Sequence, residues 1–148
     1  EGLRELIPVA RRSNVTLALE LLPRTCLGNS VSELEALLEG IPQEHIGVCL
    51  DTNHVKDASS LPEVIHALGR RLVTLHISDF DGSDERHWLP GRGVIDWPAV
   101  WHALEEVGYD SRHSFYCPPV VIAIMPISPP PSRPPSAGPE APAYPLGG

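Results

Sequence analysis

Two carboxylates and an imidazole stand at matching places in three short aliphatic runs of this 148-residue sequence. Glu20 closes NVTLALE (Asn14–Glu20), Asp51 closes IGVCLD (Ile46–Asp51), and His76 lies near the end of LVTLHIS (Leu72–Ser78). Each run is too short for a helix and rich in Val, Leu, Ile or Thr, which marks a strand. Side chains alternate between faces along a strand. The large aliphatics therefore share one face, while Glu20, Asp51 and His76 share the other with Ala18, Gly47, Cys49 and Thr74. Oxygen-rich donors with one nitrogen, gathered at strand ends, compose a site for Mn²⁺, Mg²⁺ or Co²⁺, and Zn²⁺ also fits. Taken singly, a strand-end acid also caps loops or pairs with Arg, and a lone histidine also serves as a hydrogen-bonded interior residue; the shared face is what joins the three.

The loops after these strands add candidates. Asp51-Thr52-Asn53-His54 places an imidazole three residues past the carboxylate, within reach of the same cavity. After His76 come Asp79, Asp81, Asp84, Glu85, Arg86 and His87, then Pro90-Gly91-Arg92-Gly93. Such a charge run reads first as a solvated loop, and the Pro-Gly segment as a turn. The connection from the third strand to Asp96 is nevertheless long, and long loops are often functional.

The strands need crossovers. Between the first two, Ser30-x-x-Glu33 reads as a capping box, Val31, Leu34, Leu37, Leu38 and Ile41 form a stripe, and Gly40 stops the helix. Between the next two, Ser60-x-x-Glu63 repeats the box, Leu61, Val64, Ile65 and Leu68 form the stripe, and Gly69 ends it. A third helix starts at Asp96, carries Trp97, Val100, Trp101 and Leu104 on one face, and stops at Gly108. An N-terminal helix around Leu3, Leu6 and Ile7 is weakened by Pro8. Alternating strands and helices imply a parallel sheet and the α/β class. The large aliphatics would pack under the helices, leaving the polar face to a barrel interior or a second layer.

Composition bounds what surrounds this core. Net charge is −8, from 11 Lys+Arg against 19 Asp+Glu, which disfavours a nucleic-acid partner. The longest apolar stretch, Val120–Met125, is far too short to span a membrane, and no signal peptide is read at the N-terminus. Cys26, Cys49 and Cys117, odd in number and widely spaced, indicate neither a disulfide framework nor a zinc ribbon. The chain reads as soluble and cytoplasmic. Residues 128–148 hold eight prolines and read as a disordered tail with polyproline II character.

The phrases LALE ending in Glu20, GVCLDTNH (Gly47–His54), LHISDFDG (Leu75–Gly82) and RHWLPGRGVIDW (Arg86–Trp97) resemble the sugar phosphate isomerase/epimerase group of the xylose isomerase-like TIM-barrel superfamily. The resemblance covers about residues 1–110 and implies a partial (β/α) barrel, strands five to seven with their helices. The domain reading that follows is a partial barrel over residues 1–112, a divergent segment over 113–127 that is a candidate last strand, and the Pro-rich tail. The resemblance implies that Glu20, Asp51 and His76 are three of four ligands of a divalent metal. It further implies that Glu20 acts as acid/base, and that His54 and His87 face the sugar pocket or bind further ions. The chemistry would be enediolate proton transfer on a sugar or sugar phosphate. The fourth ligand expected of the group, a Glu on the eighth strand, has no counterpart: after Asp110 the sole acid is Glu140. The chain thus reads as a truncated homologue with a divergent or frame-shifted end from about Ser111, and with a sheet edge beside Asn14–Glu20 open to homo-oligomerisation.

Two other functions compete. One is a zinc phosphodiesterase of the apurinic-endonuclease type, with His54, Glu85 and His87 where its additional ligands would sit. The other is a non-catalytic barrel fragment, the reading preferred for the polypeptide unaided; the isomerase/epimerase reading is preferred for the family.

Overall fold

The structure, a computed structural model, describes residues 2–23, 25–110 and 121–123; the remainder of the 113–127 segment and the Pro-rich tail lie outside the described residues. Helix α1 (Gly2–Arg12) leads into strand β1 (Leu17–Glu20), α2 (Val31–Leu37), β2 (Ile46–Asp51), α3 (Leu61–Leu68), β3 (Leu72–His76), α4 (Trp97–Glu106) and β4 (Val121–Ala123). The sheet is parallel throughout, in the order β3-β2-β1-β4.

The outward aliphatics of β2, Ile46, Val48 and Leu50, are fully buried in one cluster with Leu34 and Leu38 around α2, Leu61, Ile65 and Leu68 of α3, and Val100, Ala103 and Leu104 of α4. That is the layer of helices over a sheet which the apolar stripes call for. Ser30 caps α2 by accepting from Glu33 N, and Asp96 caps α4 by accepting from Ala99 N.

Several expectations are corrected. The strands are shorter than the apolar runs: Asn14 turns the chain at φ +53 after α1, and Ile77 is exposed past the end of β3. Glu33 answers its cap by binding Gly28 N and Asn29 N, upstream of Ser30. Ser60 makes no side-chain cap; Asp57 instead caps a short 3₁₀ turn that enters α3. Trp101 is exposed, tilted against the buried Trp97. The β1 edge expected to lie open carries β4, paired Leu17↔Val121 through Leu19↔Ala123. That places β4 across the sheet from β3, the strand it follows in the chain. No helix among the described residues is long and apolar enough to cross a membrane.

One irregularity positions the site. The β2–β3 register shifts between Val48 and Cys49, so that Val48 pairs with Leu72 while Cys49 pairs with Thr74. In an unbroken register Leu75 would lie beside Asp51; the extra residue, Val73, brings His76 there. Gly47 makes room, since a Cβ at that position would collide with the Val73 side chain and Arg71 O.

Candidate metal and substrate site

Glu20, Asp51 and His76 do converge at the carboxyl ends of their strands, where parallel α/β sheets place their sites. One donor atom from each lies within 4.8 Å of the others. His76 Nδ1 is 3.1 Å from Glu20 Oε1 and 3.5 Å from Asp51 Oδ2. Both carboxylates are buried. Such a cluster is chemically suited to a divalent cation, which would satisfy two acids held close together out of water. Cys49 faces the same interior, but burial, then the charges of Glu20 and Asp51, push its thiol up to about 12. The clustered donors are two carboxylate oxygens and one imidazole nitrogen.

His54 is brought to the same place. Its Nδ1 donates to Leu21 O at 2.7 Å and lies 3.8 Å from Glu20 Oε1, while its Nε2 is 3.9 Å from both Asp51 Oδ2 and Glu85 Oε2. His87 lies farther out on the long loop, with Nε2 3.8 Å from Glu85 Oε2. Asn53, His54, Lys56, Glu85, Arg86 and His87 line an open cavity of about 510 Å³ beside the cluster.

The long loop, residues 77–96, is exposed over residues 82–94, as a charged run should be, but is anchored from within at Asp79. Asp79 is 0% exposed, and its carboxylate accepts from Gly91 N at 2.8 Å, Trp97 Nε1 at 2.9 Å, Phe80 N at 3.0 Å and Ile95 N at 3.3 Å. Burial alone would raise the Asp79 pKa, but the bonds from Trp97 and the backbone of Gly93, Ile95 and Phe80 outweigh it and hold it below the ordinary carboxylate value. Gly93 is obligatory, since a Cβ there would collide with Phe80 O and Asp79 Oδ1. Farther along, Asp81 accepts from Ser83, Asp84 N and Arg86 Nε, which holds its carboxyl well below the usual range and raises the Arg86 guanidinium.

Sequence reasoning passes over the residues that brace the site. Thr52 Oγ1 donates to Ser78 O at 2.6 Å and accepts from Ser78 N at 3.0 Å, tying β2 to β3 just past their ends. Asn53 donates its N–H to Asp51 Oδ1 and its amide to Ser78 Oγ, and its Oδ1 accepts from Arg86 N and His87 N. No periodicity marks such partners. Their one visible sign is that Thr52 and Asn53 sit between two candidate site residues.

The profile of the xylose isomerase-like TIM barrel family matches residues 1–119. The chain is 30% identical over 113 residues to the D-psicose 3-epimerase of Ruminiclostridium cellulolyticum, covering 74% of this chain and 37% of that protein. It is 29% identical over 119 residues to a probable endonuclease 4 of Acholeplasma laidlawii, covering 68% and 40%. The crystal structure of a D-tagatose 3-epimerase-like protein superimposes with a TM-score of 0.66 at 28% identity, over 73% of this chain and 42% of that one. The chain thus spans about two fifths of the length of the curated relatives it matches.

Proposed function

The chain belongs to the xylose isomerase-like TIM barrel family, and we propose that it is part of a divalent-metal-dependent isomerase or epimerase acting on a sugar or sugar phosphate. The observation that carries this reading is the approach of Glu20, Asp51 and His76 donor atoms to within 4.8 Å of one another. Two carboxylate oxygens and one imidazole nitrogen fit Mn²⁺, Mg²⁺ or Co²⁺ best and Zn²⁺ acceptably. A bound cation would polarise a sugar carbonyl and the hydroxyl beside it. Glu20, buried at the strand end, would take a proton from the carbon next to that carbonyl and, after exchange with solvent, deliver one to the neighbouring carbon on the same face. Because His54 donates Nδ1–H to Leu21 O, its Nε2 lone pair faces the cavity and can accept from a sugar hydroxyl.

The experiment is turnover in deuterated water. The complete protein with Mn²⁺ and a panel of ketoses and aldoses, free and phosphorylated, should yield an isomer or epimer carrying solvent deuterium beside the carbonyl. Glu20→Gln should slow this by roughly 10²-fold or more, the usual scale for general acid–base groups. Product formed with no deuterium in any case, or with undiminished rate in the variant, would refute the assignment of Glu20.

One observation favours a second reading, an endonuclease 4-like phosphodiesterase: Glu85 Oε2 lies 3.9 Å from His54 Nε2 and 3.8 Å from His87 Nε2, a second group of metal-ligand types. The net charge of −8 opposes a DNA partner. Nicking of an abasic duplex in Zn²⁺ would establish this reading, and a preparation that isomerises sugar but leaves the duplex intact would dismiss it.

A further inference from the structure

The Asn53 amide has its orientation set from both ends. Its Oδ1 accepts the main-chain N–H groups of Arg86 at 3.0 Å and His87 at 3.3 Å, so Nδ2 is the end that donates to Ser78 Oγ. His87 holds φ +49, left-handed backbone in a non-glycine residue. Successive N–H groups around such a residue form a concave nest that grips one oxygen, and here Asn53 Oδ1 fills it. Ser78 Oγ, having accepted from Asn53, keeps one hydrogen and one lone pair, and His87 Nδ1 lies 3.3 Å away, where either atom can be the donor. With Ser78 as the donor, Nδ1 carries no proton and the neutral ring bears it on Nε2. On that side of the ring stands the Glu85 carboxylate, which can only accept.

We propose that Asn53 and Ser78 are positioning residues that lock His87 in the Nε2–H tautomer, so that the ring meets a ligand in the cavity as a hydrogen-bond donor. His54 is set the opposite way, with Nδ1–H given to Leu21 O and Nε2 left as an acceptor. The cavity therefore carries one imidazole donor and one imidazole acceptor, with Glu85 near both. That pairing matches an α-hydroxycarbonyl, whose carbonyl oxygen accepts and whose hydroxyl donates. The choice of that substrate rests on the isomerase/epimerase reading; the tautomer does not.

The test is long-range ¹H–¹⁵N correlation of the ¹⁵N-labelled complete protein, about two pH units above the ordinary imidazole value of roughly 6.5. His87 is assigned by its disappearance in His87→Gln. The wild type should show an unprotonated Nδ1 and a protonated Nε2. Ser78→Ala should bring in the other tautomer, and Ser78→Thr, which keeps the hydroxyl, should restore the single one. Amide exchange supplies a second readout: Asn53→Ala should speed exchange at Arg86 and His87 about tenfold, whereas Asn53→Asp, which keeps the accepting oxygen, should leave it near wild type. A wild-type ring protonated on Nδ1 would overturn the proposal. So would Ser78→Ala and Asn53→Ala proteins in which both tautomer and amide exchange stay unchanged. A Mn²⁺ titration of the same wild-type sample separates the two readings: no binding would defeat the isomerase/epimerase assignment while leaving the tautomer result standing.

Discussion

Replacing Asp79 with Asn changes no volume, yet it should destabilise the fold by about 3 kcal/mol. The wild-type carboxylate is 0% exposed, with Gly91 N and Trp97 Nε1 on Oδ2 and Phe80 N and Ile95 N on Oδ1. Asn must turn an NH₂ toward one of these pairs, so two buried donors lose their acceptor and confront another donor. Each such loss costs about 1–3 kcal/mol, and bonds to a charged acceptor lie at the upper end. Urea unfolding followed by circular dichroism measures the loss, which would also lower Tm by roughly 10 °C. Trp97→Phe removes one of these donors, so the double variant should be less unstable than the two single losses added together. The pH dependence has a definite sign. The folded carboxyl lies below its ordinary value of 3.8, so the stability it contributes is fully present above roughly pH 4 and shrinks as the pH falls through the folded value. The gap between wild type and variant should therefore close in acid. An Asp79→Asn protein within about 0.5 kcal/mol of wild type, or a gap that widens in acid, would refute the role given to Asp79 in the loop.

Gly93→Ala forces a Cβ against Phe80 O and Asp79 Oδ1, atoms that cannot give way; it should cost about 1–3 kcal/mol and expose the loop to proteolysis, read by unfolding and limited digestion. Cys49 should resist alkylation near pH 8 in the folded protein and react once urea is added, because its buried thiol is pushed up to about 12. The partly exposed Cys26 provides the internal comparison by peptide mapping, and equal labelling of both would contradict the burial of Cys49.

Much of the architecture is legible because apolar period and stop signals agree: short Val/Leu/Ile runs alternate with stripes that end at glycine, and strand alternation puts Glu20, Asp51 and His76 on one face. That agreement depends on a detail alternation cannot show. The register of β2 against β3 would set Leu75 beside Asp51 without the extra residue Val73, and a bulge leaves no trace in a hydrophobic pattern. Asp79 reads in the sequence as the head of an acidic, solvated run, since a lone sequence does not reveal that Trp97 and several main-chain N–H groups converge on it. Ser60 reads as a cap because its spacing to Glu63 fits, but Asp57 takes that role one turn earlier through the 3₁₀ entry to α3. Local motifs report what a residue can bind; the tertiary fold decides which partner arrives.

The central claim is that Glu20, Asp51 and His76 hold one divalent cation. Titration of the metal-stripped complete protein with Mn²⁺, followed by the electron paramagnetic resonance of the free ion, tests it most directly. One saturable site per chain is expected, weakened at least tenfold, about 1.4 kcal/mol, in each of Glu20→Gln, Asp51→Asn and His76→Gln while the fold persists. A folded wild type that leaves Mn²⁺ free, or variants that bind as tightly as the parent, would contradict it.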